Sequence, residues 1–145
     1  MKTIALRFAE NFAPEYGTIL AHKELIDCYG YVWYGKLGTP ISKKVADDII
    51  SSDKPKILLI SSGKTDRYWA YIDKIQRETP NLEAIPEYYR EICEKFNCWF
   101  RITNIIDAPK NVMSQLKVAS SGRLLGEVSK KSMSPYFIIE VDKEV

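Results

Sequence analysis

Only residues 61–66 separate the apolar run Ile57-Leu58-Leu59-Ile60 from the alternating stretch Arg67–Gln76. A parallel crossover needs a dozen residues or more, so strands joined this closely form an antiparallel hairpin. That connection removes a doubly wound parallel sheet from the folds open to the chain. Four consecutive apolar residues read as a strand buried on both faces. In its partner, Trp69, Tyr71, Asp73 and Ile75 alternate with Tyr68, Ala70 and Ile72, the period of a strand.

The remaining elements come in mixed order. Lys2–Phe8 places Ile4, Leu6 and Phe8 on one face of a strand. Thr18 is a candidate cap for a helix with the stripe Ile19, His22, Leu25, Ile26 and Tyr29, and Gly30 stops it. Tyr31–Lys36 reads as a strand. Thr39-Pro40 reads as a cap with proline at the first helical position, followed by Ile41, Val45 and Ile49. From Pro86, Tyr89, Ile92, Cys93 and Phe96 fall at helical spacing. Cys98–Ile106 is a strand with Cys98, Phe100, Ile102 and Ile106 inward, and Pro135–Val141 a last strand. Short strands interleaved with about three packed helices predict an α+β fold, a small mixed, partly closed β-barrel. Residues 1–145 read as a single domain, without repeat or linker.

Composition narrows the function classes. With 46% apolar and 28% charged residues the chain has the make-up of a globular protein. No run nears the roughly 20 apolar residues of a membrane span, and the N-terminus has no signal pattern, so a cytoplasmic location is expected. Cys28, Cys93 and Cys98 form no CxxC and His22 is the single histidine, so no metal or other cofactor is expected. At least two of these thiols read as core residues. No P-loop, GxGxxG or HExxH occurs, and no nucleophile–base pair offers itself, so binding is expected rather than catalysis.

Net charge is only +2, but Lys110–Lys131 holds Lys110, Lys117, Arg123, Lys130 and Lys131 against one acid, Glu127. Serines, Asn111 and Gly122 among them supply short donors suited to phosphate oxygens. A solvated loop is the plain alternative. The strand end Trp33-Tyr34-Gly35-Lys36, with Ser61-Ser62-Gly63 and Tyr68–Tyr71, has the make-up of a flat pocket for a planar ligand. Trp33 fits a stacking platform and a core tryptophan equally well, whereas Trp69 and Trp99 favour packing. His22 favours packing too, and Arg101 either pairs with Asp73 or faces solvent. Ser61 and Ser62 suit a base edge or simply the turn.

Taken in order, Gly30-Tyr31-Val32-Trp33, the Ile57–Ile72 hairpin, Phe100–Ile106 with Val112 and Leu116-Lys117, and Ser129–Ser134 resemble the PUA-like superfamily, nearest its EVE and YTH branches. That resemblance implies a compact barrel holding a modified or flipped base in an aromatic pocket. It assigns base contacts to Trp33, Tyr34, Ser61, Ser62, Trp69, Tyr88 and Asn11. Phosphate contacts fall to Arg123, Lys130 and Lys131. Two tryptophans of the YTH cage have no counterpart here, where Tyr88 and Tyr89 stand instead. The implied function is nucleic-acid binding, DNA or RNA with a methylated or otherwise modified base, in the manner of a reader for a defence or restriction system. An ASCH-like metal-independent ribonuclease using Lys36, Lys64 and Tyr68 is the alternative, and a protein-interaction module a third. No membrane partner is implied.

Overall fold

The expected hairpin is present: β3 (Lys56–Ile60) pairs antiparallel with β4 (Tyr68–Gln76), Leu58 opposite Trp69. In the computed structural model, which describes residues 1–8, 15, 17–61 and 66–141, these strands lie mid-sheet. The other strands are β1 (Lys2–Arg7), β2 (Val32–Leu37), β5 (Phe96–Asp107), β6 (Lys117–Val118) and β7 (Tyr136–Glu140). Helices α1 (Thr18–Tyr29), α2 (Lys43–Ile50), α3 (Val112–Gln115) and α4 (Leu125–Lys131), with short 3₁₀ turns between β4 and β5, complete the described elements.

One mixed sheet runs β2-β5-β4-β3-β1-β7-β6, and its single parallel pair is β1 with β3. That pair is joined through α1, β2 and α2, a connection long enough for a crossover. Ile57 to Ile60 are all buried. Ile57 and Leu59 enter a core with Ile4, Leu6, Val32, Phe100 and Ile102, covered by α1 and α2. Leu58 and Ile60 enter a second core with Ala5, Trp69, Val112, Leu125 and Ile139. Each such side chain contributes about 1.5–3 kcal/mol by leaving water, so a strand clad on both faces anchors the sheet. A third cluster, Trp33, Ala84, Ile85, Tyr89, Phe96 and Trp99, lies under the segment 82–95.

The fold is mixed, as expected, but the ladder is not closed: β2 and β6 are its two edges. The sheet instead curls until Lys36 on β2 lies over the ring of Tyr136 on β7, 4.9 Å from its centroid. Several expected boundaries shift. α2 begins at Lys43 rather than after Thr39-Pro40, because the Ser42 hydroxyl accepts the Val45 N–H at 3.2 Å. Gly17, not Thr18, precedes α1, and Gly30 ends it at φ 84° as expected. The helix expected from Pro86 is a series of 3₁₀ turns, Glu87–Tyr89 and Cys93–Lys95. Its N–H groups bond three residues back (Tyr89 to Pro86, Ile92 to Tyr89), and Phe96 is drawn into β5 opposite Leu37.

Register shifts near Ile72 in the β4–β5 ladder move Ile75 onto the face of Ala70 and put Ile105 inward, leaving Ile106 exposed. Of the cysteines only Cys98 is buried, because Cys28 faces solvent and Cys93 is half-buried on a turn. α4 occupies part of the stretch read as a loop.

Candidate nucleic-acid interface

β2 supplies the floor of a cavity of about 200 Å³ through Tyr34, Gly35, Lys36 and Leu37. Tyr88, Tyr89 and Ile92 from the 3₁₀ segment and Phe96 from β5 wall it, and Leu6, Arg7 and Pro135 close the side toward β1 and β7. The rings meet at steep angles: Tyr88 on Tyr89 at 4.8 Å, Tyr89 on Phe96 at 4.6 Å, Tyr34 on Tyr89 at 6.5 Å. Such steeply inclined pairs, two of them edge-to-face, hold one another's orientation and keep flat ring surfaces in place. Gly35 lets Phe96 sit directly on the backbone, since a Cβ there would stand 2.5 Å from the ring.

Electrostatically the cavity is one-sided. Lys36, only 3% exposed, donates from Nζ to the carbonyls of Leu37 (3.1 Å) and Thr39 (2.5 Å). Burial lowers its pKa. Burial also raises the phenols of Tyr34 and Tyr89 well above their ordinary value, so both stay neutral at physiological pH. No carboxylate lines the cavity among the described residues. An aromatic cage for an ammonium ligand needs the opposite sign, so this one suits a neutral ring with negative charge nearby. Behind it His22 is buried against Tyr34 and Tyr89. Its Nδ1–H donates to the Thr18 carbonyl at 2.8 Å, and burial lowers its pKa to about 4.

Next to the cavity a wider cleft of about 660 Å³ opens between the β3–β4 end of the hairpin and helices α3 and α4. Ser61, Arg67, Lys110, Asn111 and Lys130 are among its lining residues, and Arg7 lines both spaces.

The sequence candidates divide between these places. Tyr34 and Tyr88 line the cavity together, while Ser61 and Lys130 line the cleft. Trp33 points to the other side of β2, 6% exposed in the third cluster, with the Arg101 guanidinium 6.0 Å from its ring. Trp69, 2% exposed, lies in the second core beneath Lys56, whose Nζ is 4.2 Å from the ring centroid. Neither tryptophan lines either space. Arg123 and Lys131 are exposed outside the cleft. Tyr68 begins β4, its ring against Phe8. Asn11, Ser62 and Lys64 lie outside the described residues. Arg101 does pair with Asp73, Nε to Oδ1 at 2.7 Å and Nη2 to Oδ2 at 3.0 Å.

Tyr89, Phe96 and Arg7 escaped the sequence reading as site residues. One available signal was Gly35 inside a strand, a mark of close approach by another group.

Among the described residues no cluster of His, Cys, Asp or Glu could hold a metal ion, and no helix is long and apolar enough to cross a membrane. A family model described as Pua-like matches residues 4–134, from β1 through α4. No curated protein and no solved structure matches the chain.

Proposed function

The chain belongs to the PUA-like family, and from that premise we propose that it is a nucleic-acid-binding domain that seats one base in the cavity between Tyr34, Tyr88, Tyr89 and Phe96. The observation that carries this reading is the cavity itself, aromatic on several sides, free of carboxylates among its described lining residues, and about 200 Å³ in volume. Drug-sized ligands occupy about 300–1,000 Å³, so the space suits a single planar ring. Stacking gains about 1–3 kcal/mol per base, enough to offset the few kcal/mol spent extruding it. A methyl group on the base would add about 25 cal/mol per Å² of apolar surface buried, which favours a modified base in the manner of an EVE or YTH reader. Trp33 then supports the pocket from behind, packed in the same cluster as Tyr89 and Phe96. Reading for a defence or restriction system is one setting in which such a domain works.

Aromatic NMR spectra recorded while single strands of RNA and DNA are added test the placement. Saturable shifts concentrated on Tyr34, Tyr88, Tyr89 and Phe96 are expected. Shifts confined to other surfaces would move the ligand elsewhere.

One observation favours a second reading, an ASCH-like metal-independent ribonuclease: Lys36 sits in this cavity with its pKa lowered by burial. Its ammonium already donates to two carbonyls, which fits a fixed charge better than a proton carrier. Cleavage of a single-stranded RNA in the presence of EDTA, lost in Lys36→Met, would establish that alternative.

A further inference from the structure

Resting on that reading, we propose that the wider cleft is a second subsite that takes the phosphodiester of a neighbouring nucleotide, so that the ligand is a single strand rather than a free base or nucleoside. Arg67 approaches from the hairpin, Lys110 from the start of the α3 segment and Lys130 from the last turn of α4, so three stretches distant in sequence deliver cations to one concavity. With Arg7 these are four cationic side chains against a single acid, Glu127, among the described lining residues. A concave wall of one sign focuses the field on an anion, which scattered solvated lysines do not. Lys110 and Lys130 are exposed and held in no ion pair among the described residues. Ser61 and Asn111 add short donors beside them.

The two spaces are joined by how Arg7 is used. Its Nε donates to the Ser134 carbonyl (3.0 Å), and its Nη2 to those of Ser129 (2.8 Å) and Ser132 (2.9 Å). Its backbone N–H donates to the Pro135 carbonyl at 2.9 Å. These bonds fix 129–135 as a partition. Pro135 faces the cavity, whereas Ser129, Lys130 and Met133 face the cleft. The spaces are therefore one arginine side chain apart, the scale of a step along a strand. A base can enter the cavity while its neighbouring phosphate meets the lysines. A duplex would have to unpair that base first, and a single strand does not.

The test compares a nucleoside with a trinucleotide, in RNA and DNA forms, using wild type, the double variant Lys110→Ala/Lys130→Ala, and Lys43→Ala on the exposed face of α2 as control. Neutralising that one phosphodiester should cost the trinucleotide about fivefold in affinity between 50 and 500 mM salt. The nucleoside should show no such loss. In the double variant the trinucleotide should lose most of its salt dependence and bind no tighter than the nucleoside, while Lys43→Ala behaves as wild type. A trinucleotide that binds wild type no tighter than the nucleoside, or a salt dependence unchanged in the double variant, overturns the cleft and leaves the base pocket standing. No binding of either ligand overturns both.

Discussion

Gly35 sets the width of the cavity by an atom it lacks. A Cβ at that position would stand 2.5 Å from Cγ and 2.6 Å from Cδ2 of Phe96. Gly35→Ala must therefore push the Phe96 ring off the strand. We expect a loss of about 1–3 kcal/mol in urea unfolding, the usual cost of overpacking, together with weaker base binding. A variant that keeps wild-type stability and affinity would show that Phe96 yields freely and does not shape the site. His22 makes the fold sensitive to pH. The unfolded imidazole binds its proton near 6.5, but the buried one does so only near 4, because desolvation disfavours the charged ring. Between those values the unfolded chain carries the extra proton. The stabilisation is thus complete above pH 6.5, declines as pH falls toward 4 and levels off below it, by up to about 3 kcal/mol. Denaturant midpoints from pH 7 to 4 should fall more steeply in wild type than in His22→Gln. Parallel curves would mean that His22 titrates normally.

At the scale of elements, legibility followed how local each signal was. The Ile57–Ile60 strand, the hairpin and the Gly30 stop are set by neighbouring residues, and all three formed as read. The start of α2 was misplaced because Thr39-Pro40 and Ser42 both offer caps. The hydrogen bond from the Val45 N–H to the Ser42 hydroxyl decides between them. Ser42→Ala should then cost about 1 kcal/mol in chemical unfolding, and Thr39→Ala much less. Equal losses from the two would put the helix start back at Pro40. The 86–96 segment kept its helical spacing without a helix, since short turns also bring Tyr89, Ile92 and Phe96 to one cluster. α4 carries few apolar residues and was hidden among the charges of its stretch. Its C-terminal carbonyls are held by Arg7, more than a hundred residues away in sequence, and no local pattern signals that.

For the whole molecule, the curl of the sheet brings β1, β2, the 3₁₀ segment and the start of β7 to one cavity. That juxtaposition was the least legible feature. Tyr34 and Tyr88 were singled out, but from aromatic content and family likeness, and so were Trp33 and Trp69, neither of which lines the cavity: Trp33 packs behind its Tyr89 and Phe96 wall, and Trp69 lies in the second core. Aromatic residues suit a core and a stacking site equally. What separates them is which side of its strand each occupies once the neighbouring segment is laid down. The same curl puts the cationic cleft beside the cavity, which near-neutral net charge conceals. What matters most is entry of one base between these rings. It is tested most directly by titrating wild type and Tyr88→Ala with single strands, unmodified or carrying N6-methyladenine or 5-methylcytosine. Wild type should bind saturably and favour a methylated strand. Tyr88→Ala should lose that preference and about 1–3 kcal/mol of affinity, with its salt dependence retained. Equal binding of every strand by wild type and Tyr88→Ala would contradict it.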